Sequence, residues 1–224
     1  TPVNTETQNI GIAIKPVSVD DHILGNTDAP IVMVEFSDTE CPFCKNFQNT
    51  MNSLINTYGK GGQIAWVYRH FPLDSLHKKS RTESQATECA YKLGGNIAFW
   101  KYLDNVYSTT TSNDSLDFAK LPMIAELAGV DTVKFNDCLA KGNDAEKIEA
   151  NLQDGVKAGA QGTPYTVMIL KDKLSTSKKN SLASYIATSG LSDNVIISGT
   201  DKEVVLNGAL PISYITAILD LILK

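Results

Sequence analysis

Arginine is nearly absent from this chain: Arg69 and Arg81 are the two in 224 residues, and the net charge is −5. An acidic balance with a pI near 5.2 leaves no basic face for nucleic acid, and two arginines are too few for a phosphate clamp. Long apolar runs are missing too. The longest, "YITAILDLILK", is interrupted by Asp220, so no segment reads as a bilayer span. The opening Thr1-Pro2 has no Met and no basic-then-apolar leader, and the expectation is that a leader or membrane anchor was removed or the chain was trimmed. The polar stretch "TPVNTETQN" reads as a tether. Cysteine is scarce but even, at 4, which suits an oxidising compartment.

What is present is enough apolar content, 42%, to bury a real core. "IGIAI" at Ile10 to Ile14 reads as a short strand, and "APIVMVEF" as a buried one, opened by Pro30 and closed by Ser37-Asp38. Phe47, Met51, Leu54 and Ile55 recur at helical spacing up to Gly59–Gly62, and "QIAWVYRHF" is the next strand, ended by Pro72. Strand, helix and strand make a βαβ unit whose strands should be parallel. From Leu76 to Ala160 the pattern is helical: Gly94-Gly95 ends one helix, and Ile97, Trp100, Leu103 and Val106 line another. Pro122 starts a third, Asp131 caps a fourth, and Asn143 or Asp144 caps a helix carrying Ile148, Leu152 and Val156. Strands return with "PYTVMIL" and "EVVL", and Pro211 opens a last helix with Ile212, Ile215, Leu219 and Ile222 inward. The expectation is one α/β domain interrupted by an all-helical insertion, with no internal repeat.

The chemistry-bearing stretch is "ECPFC", Glu40 to Cys44, at the junction of the buried strand and its helix. The first turn of a helix leaves backbone N–H groups without partners, and these stabilise a thiolate at Cys41. Cys44 follows one turn later on the same face and can close a small disulfide ring, while Pro42 suits a first-turn position. A structural zinc site is the first competitor. It needs four ligands, and Cys89 and Cys138 lie far apart while His22, His70 and His77 form no close pair. Two inert buried thiols are the other competing reading.

The stretches "GNTDAPIVMVEFSDTECPFCKNF", "YRHFPL" with His77 shortly after, "ECAYKLGGNIAFWKY" and "GAQGTPYTVMI" together resemble the DsbA-like thiol oxidoreductases of the thioredoxin superfamily, from about Ile23 to Ile169. The resemblance implies a thioredoxin fold, 1–75 and 161–224, with 1–20 as an N-terminal extension. The helical insertion, 76–160, would separate its βαβ and ββα halves. It implies a cis peptide bond before Pro164, with Thr163 and Pro164 against the cysteine pair, where a substrate peptide can add as a strand. Glu35 matches a buried acid that relays a proton to or from Cys44; a strand-end acid facing solvent is its alternative. Phe43 would tune the potential and, with Pro42, touch substrate. Cys89 and Cys138 match a second, structural disulfide, the alternative being two separate buried thiols.

Glu40 acts on the motif in two opposite senses. Its charge opposes a thiolate, solvent exposure would screen it, and a helix N-terminus favours an acid. His70 and His77 read as surface or hydrogen-bonded structural residues, and Trp66 and Trp100 as core. Lys171 to Lys202 departs from the family's short hairpin and reads as a neutral surface insertion, with a partner-binding elaboration as the alternative. The implied function is extracytoplasmic or periplasmic dithiol–disulfide exchange that introduces disulfide bonds into reduced, unfolded secreted proteins. A membrane reoxidant of the DsbB or VKOR-like kind, a monomeric state, no metal or other cofactor and no nucleic-acid partner go with it. A reductase or isomerase on the same scaffold, or a non-catalytic module holding a client or soft metal through its thiols, are the alternatives.

Overall fold

The structure is a computed structural model and describes residues 11–224. Six strands form one mixed sheet in the order β1-β3-β2-β4-β6-β5. The centre is β2 (Ile31–Ser37), buried along its whole length between β3 (Ile64–His70), parallel to it, and β4 (Tyr165–Leu170), antiparallel. Burial on both faces is why β2 reads as an unbroken apolar run and not as an alternation. Helix α1 (Pro42–Leu54) crosses from β2 to β3, and one wider turn, Ile55–Gly59, ends it. On the other side, β6 (Glu203–Asn207) pairs with β4 and leads into α7 (Ile212–Leu223). The βαβ and ββα halves thus flank a helical block of α2 (Ser80–Thr109), α3 (Leu121–Leu127), α4 (Thr132–Lys141) and α5 (Ala145–Ala158).

Helix α2 is two helices across a kink: Gly95 has φ 70° and ψ −167°, a conformation outside the helical region that glycine adopts without a Cβ penalty. Both halves join α3 and α4 in a separate apolar core built on Cys89, Tyr102, Leu121, Ile124 and Phe135. A disulfide between Cys89 and Cys138 ties α2 to α4. Helix α5 lies on the sheet instead. A Cβ on its Gly155 would come within 2.6 Å of Phe71 and 2.8 Å of Phe36, so only glycine lets the helix approach this closely. The opposite face of the sheet packs Met33, Trp66 and Tyr68 against Phe47, Met51, Trp100 and Leu103.

Three expectations change. Gly11 to Ile14 form no strand, and Ile10 lies outside the described residues. This segment turns on itself, Ile14 N–H bonding the Ile12 carbonyl at 2.9 Å, and Arg69 takes the carbonyls of Lys15 and Pro16. The first strand is instead β1 (His22–Gly25), antiparallel to β3. Ile97, Val156 and Ile212 face outward, because each begins or ends the apolar stripe at the rim of its helix. Finally, Lys171 to Lys202 is no surface insertion. It holds α6 (Thr176–Thr188), whose Leu182 and Ile186 are buried in the main core beside α7, and β5 (Val195–Ile197), the sheet's last strand.

Candidate active site

Cys41 ends the turn from β2 into α1. Its backbone is still extended, φ −76° and ψ 122°, while its carbonyl accepts the first intrahelical bond from Lys45 N–H at 3.0 Å, which makes it the helix N-cap. Pro42 takes the first helical position, where a missing N–H leaves nothing unpaired. Phe43 points outward, 63% exposed, and Cys44 points inward, fully buried. Both thiols are free. Antiparallel register sets Phe36 opposite Tyr165 and Glu35 opposite Thr166, so the chain approaching β4 lies beside the turn that leaves β2. The Thr163–Pro164 bond is cis, and Cys41 Sγ donates to the Thr163 carbonyl at 3.4 Å. Cys41, Cys44, Thr163 and Pro164 are therefore neighbours, with Pro42 and Phe43 on the outer rim.

The two sulfurs differ electrostatically. The hydrogen bond from the Cys44 thiol draws Cys41 from its ordinary 9.0 down to about 6; burial opposes this, and Thr163 and the N–H groups of Cys44 and Phe43 add to it. Burial, and then the Cys41 sulfur beside it, hold Cys44 well above its ordinary value.

Glu35 lies on the same sheet face as Met33, below the cysteines, and is fully buried. Burial pushes its carboxyl up to about 7 against hydrogen bonds from Ser37 and Trp66. The Trp66 indole N–H donates to Oε2 at 2.9 Å. Its negative charge is one of those that raise Cys44.

Glu40 is buried rather than solvent-screened, its carboxylate taken up by the loop after α2. Two residues at the site had no motif to reveal them. Asp38, fully buried, accepts from Glu40 N–H (2.8 Å), Leu73 N–H (2.7 Å) and His77 Nδ1 (3.0 Å). His77 is raised above its ordinary value: burial pulls it down, but the hydrogen bond and charge of Asp38 outweigh it, and Cys41 adds. Its separation of 39 residues from Asp38 hides the pairing from any local pattern. His70 belongs elsewhere. With His22 it bonds Glu88 Oε1, at 2.9 and 2.6 Å, and Lys147 Nζ reaches Glu88 Oε2 at 2.9 Å, a buried ion-paired cluster joining β1, β3, α2 and α5.

A strand, a CxxC turn at a helix N-terminus and a facing X-Pro strand define a thiol-redox class of α/β protein. Residues 17–187 match the family described as Thioredoxin, most of the chain, and the protein belongs to that family. The fold is that of DsbA-type proteins. It is similar to Pseudomonas aeruginosa DsbA2, with a TM-score of 0.65, 21% identity and coverage of 92% of this chain and 96% of that one. Wolbachia pipientis alpha-DsbA1 is similar at a TM-score of 0.62 and 24% identity, covering 92% of this chain and 91% of that one. Over 150 residues, 66% of the chain, it is 31% identical to the Na(+)/H(+) antiporter NhaA 3 of Salinispora tropica, but spans 22% of that longer protein. No helix among the described residues is long and apolar enough to cross a membrane.

Proposed function

We propose that this chain is an extracytoplasmic dithiol–disulfide oxidoreductase that introduces disulfide bonds into reduced secreted or periplasmic proteins. The observation that carries the reading is the unequal sulfur pair: Cys41, drawn down to about 6 at a helix N-terminus, against the Thr163 carbonyl, with Cys44 buried behind it. In the oxidised protein, a substrate thiolate attacks Cys41 Sγ. The substrate–Cys41 bond forms, the Cys41–Cys44 bond breaks, and Cys44 leaves as a thiolate that is a strong base in its buried setting. Glu35, poised at about 7, delivers a proton to it. The substrate's second thiolate then attacks its own mixed-disulfide sulfur and expels Cys41, a good leaving group because its thiolate is stabilised. Two electrons pass from substrate to the Cys41/Cys44 pair, and a membrane partner of the DsbB or VKOR-like kind takes them up again.

Pro42 and Phe43 contact the substrate at the rim, and Thr163 offers its backbone to an incoming extended chain, Pro164 holding that strand against the sulfurs. The protein acts as a monomer, without metal or other cofactor. The Cys89–Cys138 bond supports an oxidising compartment, since such staples do not persist among cytosolic thiols. Equilibration with glutathione buffers, reading the Cys41–Cys44 potential, tests the direction of exchange. An oxidising potential is expected; a strongly reducing one points to a reductase. Thiol-oxidation activity that survives Cys41→Ser removes the enzyme reading altogether.

A further inference from the structure

Glu40 has no chemical step in this exchange, yet each of its polar groups is engaged. Its N–H donates to Asp38 Oδ1 at 2.8 Å and its carbonyl accepts from Asn113 N–H at 2.8 Å. Its carboxylate accepts from Thr110 Oγ1 at 3.2 Å and from the N–H groups of Ser115 and Leu116, each at 3.3 Å. Apart from Asp38, all these partners belong to one loop, residues 110–116, which follows α2 in the helical block.

That loop is strained. Ser112, Asn113 and Asp114 run consecutively with φ of 70°, 55° and 63°. Non-glycine residues keep this left-handed conformation only where their surroundings impose it, and such strain gathers at functional sites. The loop is gripped from further points: Lys79 N–H donates to Asp114 Oδ1 at 2.8 Å, and Lys45 Nζ from α1 reaches the Thr110 carbonyl. Asn113 also lies beside His77, the imidazole that Asp38 holds within the field of Cys41, and helps to raise it. Beside Glu40, Glu83 is buried in the first turn of α2; burial, and then the neighbouring Glu40, push its carboxyl up to about 9, so it holds a proton at neutral pH.

We propose that Glu40 is a positioning residue: its carboxylate fastens the 110–116 loop of the helical block to the turn that presents Cys41, so that the block holds the sulfur and His77 in their reactive setting. The Glu40 carboxylate is already met by three donors, so its local opposition to a thiolate is small. Its role as a clamp is the larger effect. The two effects have opposite signs in Glu40→Gln. Losing a bare charge lowers the Cys41 titration midpoint; losing the clamp raises it.

The test is thiolate absorbance against pH in the whole reduced chain, with hydrogen exchange of the loop amides, for Glu40→Gln and for Thr110→Val. The valine variant keeps the side-chain shape and the charge while removing the Thr110 hydroxyl, which donates to Glu40 and also bonds Ser112 N–H and Ser115 Oγ. In both variants the expected result is a raised Cys41 midpoint, at least about threefold less thiolate at the wild-type midpoint, and about tenfold faster exchange at Asn113, Ser115 and Leu116. A lowered or unchanged midpoint in Glu40→Gln, or unchanged loop exchange, overturns the proposal. The inference deepens the oxidoreductase reading and rests on it for its meaning, but the readout needs no turnover. Inactivity of the wild type would count against that reading and leave the titration interpretable.

Discussion

The sharpest prediction concerns Cys44→Ala, which removes the leading cause of the low Cys41 midpoint while leaving the helix N-terminus in place. Wild-type Cys41 sits at about 6 against an ordinary 9.0, and the Cys44 thiol is the largest contributor. A hydrogen bond to a charged group is worth about 1.5–3 kcal/mol, or roughly one to two pH units. The variant's midpoint therefore moves up to between about 7 and about 8, held below the ordinary value by Thr163 and the Phe43 and residue-44 N–H groups. The consequence for redox poise follows from linkage. A lowered thiol midpoint favours the reduced protein above about pH 6, and the benefit fades as pH falls through that value. At pH 7 it amounts to about 1.4 kcal/mol, or about 30 mV for two electrons. Iodoacetamide alkylation rates and thiolate absorbance, from about pH 4 to about pH 9, measure both proteins directly. A wild-type midpoint at or above about 8, or one that Cys44→Ala leaves in place, refutes the reasoning.

Glu35→Gln should slow resolution of the mixed disulfide by at least about tenfold, measured by stopped-flow tryptophan fluorescence. The same variant should flatten a pH dependence: a carboxyl raised to about 7 in the fold contributes stability that is lost as pH rises through about 7, and glutamine has no such loss. Equal slopes of urea midpoint against pH in both proteins would contradict the buried-acid assignment. Replacing Cys89 and Cys138 by serine opens a loop of sequence separation 49; about 4 kcal/mol of stability should go, by the chain-entropy estimate, with the Cys41 midpoint unmoved. Gly155→Ala forces a methyl into Phe71 and Phe36 and should cost about 1–3 kcal/mol in urea unfolding; an unchanged midpoint would mean that α5 does not sit as closely as described.

The parts that were legible in the sequence are those encoded locally. The β2 run, the capped helices, the Gly94-Gly95 break and the CPFC turn each announce themselves within a few residues, and the family likeness adds Thr163-Pro164. What stayed hidden depends on long-range pairing. The face occupied by Glu35 was invisible because β2 is apolar on both sides, so no alternation survives to mark a direction. The effect of Glu40 could not be signed because nothing near it foretells a loop some seventy residues away that folds over it, a separation of 70 to Thr110. Asp38 with His77, and Lys171 to Lys202 as core rather than ornament, share that cause. Charged and Ser-rich composition misled at α6, where Leu182 and Ile186 alone carry the buried stripe.

The ends of the sheet bear on the proposed work among unfolded chains. Its outermost strands, β1 and β5, have 4 and 3 residues. Borders so brief offer a passing polypeptide few open N–H and C=O groups, which is how stable sheets avoid recruiting neighbours into aggregates. On the function proposed above, a client seeking backbone pairing would find little purchase along either margin and would be left the bend at Thr163, against the sulfur. Blunt borders would let the protein work in a crowd of sticky, half-made molecules without becoming a seed for them.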